Sequence, residues 1–209
     1  MDAGGNLIDT ADVYADGASE RLLGRLLAED GRREQVVLAT KAVSRPGTER
    51  RFDASRRHIL NALEGSLRRL GVDTIDLWQL DAWDPWTPLE ETLAAIDSAV
   101  SSGKVRYAGV SNYAGWQLAQ ASTSSSLRDS SQPLISTPVE YSLLQRGVER
   151  EVVPAAAALG VGLLPWSPLR RGVLTVKYRN RTPAASPAPH TASSTSDPPY
   201  LTEHPPRPL

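Results

Sequence analysis

The sequence predicts an α/β protein in which parallel strands alternate with amphipathic helices. Three observations carry that prediction. Short, nearly continuous apolar runs recur along the chain, as for parallel strands covered on both faces. Between them lie segments with apolar residues at helical spacing, bounded by helix start and stop residues. Polar residues with chemical potential gather just after the apolar runs, on the side where a βα barrel has its mouth.

In chain order, strands are expected at residues 6–10, 35–41, 74–80, 105–111, 134–141 and 162–167. The first helix is expected at 19–28. The second starts at Ser55, carries the stripe Ile59, Leu60, Leu63, Leu67 and Leu70, and stops at Gly71. Thr87, Pro88 and Glu90 read as a capping box for the third helix, with Thr87 as N-cap. Leu89, Leu93, Ile96 and Val100 form its buried face and Gly103 its stop. A fourth helix at 115–122 fades into a serine-rich loop at 122–131, and a last one at 149–159 ends at Gly160. A doubly wound dinucleotide fold needs G-x-G-x-x-G between a first strand and its helix. That motif is missing, and Gly160-Val161-Gly162 leads into a strand. The barrel is therefore the favoured parallel architecture.

Composition narrows the function. The 209 residues hold 23 Lys+Arg against 24 Asp+Glu, which argues against a nucleic-acid binder relying on bulk positive charge. Without cysteine there is no disulfide scaffold, zinc ribbon or thiol nucleophile. No apolar run reaches the roughly 18 residues of a membrane span, and no signal peptide is visible. The expectation is a cytoplasmic protein with no membrane partner. Half of the 16 prolines fall in residues 179–209, with Tyr200, Leu201 and the terminal Leu209 as the sizeable apolar residues. Such a segment buries too little to offset an ordering cost of about 1–2 kcal/mol per residue. It is expected to be a disordered Pro/Ser-rich tail after a folded unit at 1–178. The histidines make no metal site: His58 lies in the first turn of a helix and is expected to be solvated, while His190 and His204 fall in the tail.

The strand-end residues are Asp9 and Tyr14, then Lys41, Asp81, Ser111-Asn112, Glu140-Tyr141 and Trp166-Ser167. In a barrel these ends converge. A free tyrosine, with a pKa of about 10, is a poor proton donor at neutral pH. A nearby ammonium favours phenolate, and a carboxylate paired with that ammonium holds it in place. Aspartate, tyrosine and lysine together thus form a tuned general acid able to protonate a developing alkoxide. Singly they have plainer readings, as turn aspartate, rim tyrosine and surface lysine. Their joint occurrence at corresponding strand ends carries the inference.

These residues lie in stretches that resemble the aldo/keto reductase family over residues 4–178. The stretches are Ile8-Asp9-Thr10-Ala11-Asp12-Val13-Tyr14, Leu38-Ala39-Thr40-Lys41, Gly103-Lys104-Val105-Arg106-Tyr107-Ala108-Gly109-Val110-Ser111-Asn112 and Pro165-Trp166-Ser167-Pro168-Leu169. The resemblance implies a (β/α)8 barrel that binds NADPH and reduces a small aldehyde, ketone or conjugated carbonyl. By position it makes Tyr14 the proton donor, Lys41 its tuning group and Asp9 the partner of Lys41. It puts Ser111 and Asn112 at the nicotinamide carboxamide, Trp166 against the nicotinamide ring, and Ser167 and Leu169 at the pyrophosphate.

The departures are equally specific. Asp81 stands where the family usually has a histidine, and an ionised aspartate cannot donate a hydrogen bond. A protonated Asp81, desolvated by Trp83 and Trp86, could donate. Pro138 replaces a nicotinamide-binding glutamine, and Arg170 and Val176 replace glycines; Arg170 could instead touch a phosphate. The resemblance covers barrel strands two to seven, so an incomplete (β/α)8 barrel is expected. The alternative to an active reductase is then a catalytically impaired barrel fragment or a non-catalytic interaction protein.

Overall fold

The computed structural model describes residues 4–29, 31–126 and 133–175. Six strands form one sheet: β1 (Leu7–Asp9), β2 (Val37–Ala42), β3 (Ile75–Leu80), β4 (Val105–Val110), β5 (Leu134–Glu140) and β6 (Gly162–Trp166). All five pairings are parallel and the spatial order is the chain order. A doubly wound sheet reverses its order at a switch point; this one does not, as expected for a βα barrel. Helices α1 (Ala18–Leu27), α2 (Arg56–Leu70), α3 (Leu89–Ser101), α4 (Gly115–Ser126) and α5 (Val152–Leu159) connect successive strands. Among the described residues β1 and β6 each pair on one side, so the curled sheet is an open, incomplete barrel.

The apolar patterning explains the core. Every residue of β3 is buried, and Leu38, Ile59, Leu63, Leu70, Leu93, Ile96 and Leu118 pack between sheet and helices. The α1–α2 approach depends on Gly24, where a Cβ would lie 2.6 Å from the Leu70 carbonyl oxygen. On the concave face the register aligns Leu7 with Val37 and Leu77 with Tyr107. Leu7, Val37 and Tyr107 remain exposed there because the open barrel leaves its interior unfilled.

Several sequence expectations need correction. Helix α3 has Pro88, not Thr87, at its N-cap, and the capping box does not form. The Thr87 hydroxyl instead donates to Asp84 Oδ2 at 2.6 Å. Asp84 also accepts from the Ala54 and Trp86 amides and from Arg50. Burial alone would raise the Asp84 pKa, but these hydrogen bonds outweigh it and hold the carboxyl below its ordinary value. Glu91 caps the other helix, accepting the Arg56 amide of α2 at 2.9 Å. His58 is not solvated: it is half-buried, its Nε2 has no hydrogen-bond partner, and burial lowers its pKa. The segment expected as one helix at 149–159 divides into a 3₁₀ turn, Gly147–Arg150, and α5, with Glu151 out of helical geometry between them. Helix α4 runs on to Ser126. The tail expected at 179–209, with Val176, lies outside the described residues. Among the described residues no helix is long and apolar enough to cross a membrane, and no His/Asp/Glu cluster could hold a metal ion.

Candidate active site

The C-terminal ends of the strands surround a cleft of about 520 Å³. Asp9, Tyr14, Lys41, Asp81, Ser111, Asn112, Trp166 and Ser167, all predicted from sequence, line it. Leu169 is the exception: it is 56% exposed and does not line the cleft. Alternation along parallel strands brings Asp9 and Lys41 to the same inner face, because β1 and β2 pair Asp9 with Ala39, two residues before Lys41.

Lys41 is the best-held member. Its side chain is 5% exposed, its Nζ is ion-paired with Asp9 Oδ2 and donates to the Thr10 carbonyl at 2.9 Å. A buried ammonium needs such partners. The same Nζ lies 5.3 Å from the centre of the Tyr14 ring, a cation–π approach. Tyr14 sits in the loop after β1 and is half-exposed, open to a ligand. The other Asp9 oxygen, Oδ1, accepts from Gln79 Nε2 at 3.0 Å.

Across the cleft, the residues after β4 and β6 meet. Asn112 adopts a left-handed backbone, φ 58°, which asparagine tolerates better than most residues. Its Nδ2 donates to the Asp81 carbonyl at 3.0 Å, and its Oδ1 accepts from Trp166 Nε1 at 3.1 Å. The Trp166 indole, 40% exposed, is thereby fixed at the cleft wall. Ser111 is buried and donates to the Pro138 carbonyl at 3.2 Å.

Two expectations about neighbouring groups fail. Trp86 is exposed and does not enclose Asp81, while Trp83 packs edge-on against Tyr113 and Trp116. Asp81 accepts from Ser44 Oγ at 2.5 Å. Arg170 is buried, ion-paired with Glu140, and is not among the residues that line the cleft.

Sequence reasoning missed two buried polar groups next to the site. Gln79 interrupts the apolar run of β3, and that interruption was the available signal. Asp12 lies within the first quoted stretch, between Asp9 and Tyr14. Its Oδ1 is buried without a hydrogen-bond partner. Burial, then the charge of Glu20, pushes its pKa up to about 7; Arg69 opposes and Asp81 reinforces the shift.

Comparison with known proteins settles the classification. The model of the "Aldo/keto reductase family" matches residues 1–200. The chain belongs to the aldo/keto reductase family. The family match runs past residue 178, where the sequence resemblance stops. Among curated relatives, the "Uncharacterized oxidoreductase YrpG" of Bacillus subtilis is 42% identical over 83% of this chain and 56% of its own length. A "Probable voltage-gated potassium channel subunit beta" of Oryza sativa is 38% identical over 88% of this chain and 57% of its own. "Versiconal hemiacetal acetate reductase" of Aspergillus parasiticus is 35% identical over 83% and 56%. This aldo/keto reductase chain thus spans just over half the length of those relatives.

Proposed function

We propose that this chain is an impaired aldo/keto reductase unit: it keeps the proton-transfer group of a carbonyl-reducing site but holds the dinucleotide cofactor weakly. The reading rests on one observation above the others, the Asp9–Lys41–Tyr14 cluster in a single cleft. The reaction is reduction of a small aldehyde, ketone or conjugated carbonyl to its reduced product. NADPH, when bound, supplies the hydride.

The residues present fit one end of that cofactor. Trp166 offers an exposed indole face beside Ser167 and Asn112, suited to a nicotinamide ring and its carboxamide. They do not fit the phosphates. Among the described residues lining the cleft, Lys41 is the one cation, and its charge is already paired with Asp9. Arg170, which could have touched a phosphate, is ion-paired with Glu140.

On this reading Tyr14 gives its proton to the substrate oxygen. Lys41 stabilises the phenolate left behind, and Asp9 holds Lys41 in place. Asp81, in the slot usually held by histidine, contributes no donated hydrogen bond while ionised. The second reading is a non-catalytic interaction role. It is favoured by the open sheet and by the likeness to plant proteins named as probable channel β subunits.

The test is NADPH-dependent reduction of 4-nitrobenzaldehyde by the full chain and by Tyr14→Phe. Slow turnover at high cofactor concentration, reduced about 10²-fold or more in Tyr14→Phe, supports the reading. Equal rates in the two proteins overturn Tyr14 as the donor. No turnover in either favours the interaction role.

A further inference from the structure

The proton-transfer group is only as good as the geometry of Lys41, and Asp9 sets that geometry. Asp9 cannot do so alone. Its side chain is 41% exposed, and a carboxylate bound through one oxygen can swing about that contact. The structure supplies a second restraint on the buried side.

Gln79 is fully buried in the middle of β3. Burying an amide costs free energy unless its polar atoms are partnered. Gln79 Nε2 donates to Asp9 Oδ1 at 3.0 Å, and Gln79 Oε1 accepts from Ser136 Oγ at 3.2 Å. Ser136 is itself buried. The partners also decide which way the amide points: a carboxylate oxygen takes the NH₂ end and a hydroxyl proton takes the carbonyl end.

The network spans five strands. Asp9 comes from β1, Lys41 from β2, Gln79 from β3 and Ser136 from β5. The register aligns Lys41 with Gln79, Gln79 with Gly109, and Gly109 with Ser136. Gly109 of β4 therefore lies between the two hydrogen-bonding partners. A Cβ there would come within 2.8 Å of the Ser136 carbonyl oxygen, and closer still to its hydroxyl. Glycine at 109 keeps the passage across β4 open.

We propose that Gln79 is a positioning residue for the reduction, and that Ser136 sets its amide orientation. The claim rests on the proton-transfer role of Tyr14 and Lys41 set out above. With Gln79 in place both Asp9 oxygens are held, and Lys41 Nζ stays under the Tyr14 ring. Without it Asp9 keeps one restraint, and Lys41, still bonded to the Thr10 carbonyl, loses the fixed position of its carboxylate partner.

The test compares the full chain with Gln79→Leu, Gln79→Glu and Ser136→Ala, varying 4-nitrobenzaldehyde at a fixed high NADPH concentration. Gln79→Leu is expected to lower kcat about 10-fold at every pH, with the substrate KM changed less than 2-fold. Gln79→Glu is expected to recover activity as pH falls, because a protonated glutamic acid can donate to Asp9 where the amide did, whereas two carboxylates repel. Ser136→Ala, the mildest change, is expected to lower kcat about 2- to 5-fold. A kcat unchanged in Gln79→Leu and Ser136→Ala, or a Gln79→Glu profile parallel to that of Gln79→Leu, overturns the proposal.

A readout without turnover separates this claim from the functional reading. The nuclear Overhauser contact between the Lys41 side chain and the Tyr14 ring is expected in the wild-type chain and lost in Gln79→Leu. If the wild type lacks reductase activity but the contact is lost in the variant, the functional reading fails and the positioning geometry stands. If the contact persists in Gln79→Leu and in Ser136→Ala, the positioning claim fails whatever the activity.

Discussion

Asp12→Asn should stabilise the protein progressively as pH rises from about 4 to about 7, with the gain level above that. Asp12 follows β1, and its amide donates to the Lys41 carbonyl at 3.1 Å. The buried Oδ1 lacks a hydrogen-bond donor, so ionisation puts uncompensated charge there. Burial and the Glu20 charge push its pKa from 3.8 to about 7 despite Arg69. Between those values the folded chain keeps a proton that the unfolded chain has released. Stability therefore falls as pH rises through this window. The full difference between 3.8 and about 7 corresponds to at most about 4 kcal/mol, and the part between pH 5 and pH 8 to at most about 3 kcal/mol. Partial exposure of Asp12 reduces the share, so about 1–3 kcal/mol is expected. An asparagine fills the same volume, carries no charge, and removes this dependence. Urea unfolding of both proteins at pH 5, 6, 7 and 8 measures the effect. Wild-type stability should drop relative to Asp12→Asn across the series. Parallel curves would refute the argument that Asp12 is held protonated by its surroundings.

Two further perturbations probe the scaffold. Gly109→Ala should cost about 1–3 kcal/mol by forcing β4 and β5 apart at Ser136, read as a lowered urea midpoint; an unchanged midpoint would show that the strands separate freely there. Asp84→Ala removes the acceptor for two backbone amides, Thr87 and Arg50, and should cost at least about 2 kcal/mol at pH 7. Because the Asp84 pKa is lowered by folding, its contribution is present above the ordinary value of 3.8 and fades as pH falls below it, so the two proteins should converge in stability on acidification.

The strands were legible because each leaves a short, nearly continuous apolar run, which in the buried β3 covers both faces; all six appear, with ends differing by at most two residues. The cluster of Asp9, Tyr14 and Lys41 was legible because its members stand at strand ends, and the barrel topology converts that sequence position into proximity. Leu169 does not line the cleft, and the backbone around it turns through left-handed angles at Ser167, Arg170 and Arg171, which residue types alone do not announce. The Thr87 cap failed because a tertiary partner, Asp84, competes for the hydroxyl. Gln79 and Asp12 went unread for a related reason: their importance lies in contacts made across strands and loops. The ion pair of Arg170 with Glu140, thirty residues earlier, was unreadable in the sequence for the same reason.

The most direct test of the account uses two hydride donors. NADPH carries the adenosine half and its phosphates; reduced nicotinamide mononucleotide lacks that half but has the same reactive ring. A cleft that grips the ring through Trp166 and Asn112, with no free cation among its described lining residues, should use the two almost equally. Reduction of 4-nitrobenzaldehyde should then give kcat/KM values for the two donors within about 3-fold, both lowered about 10²-fold or more by Tyr14→Phe. A preference for NADPH of 100-fold or more would contradict the account, since it would require a functional phosphate and adenosine site in this chain.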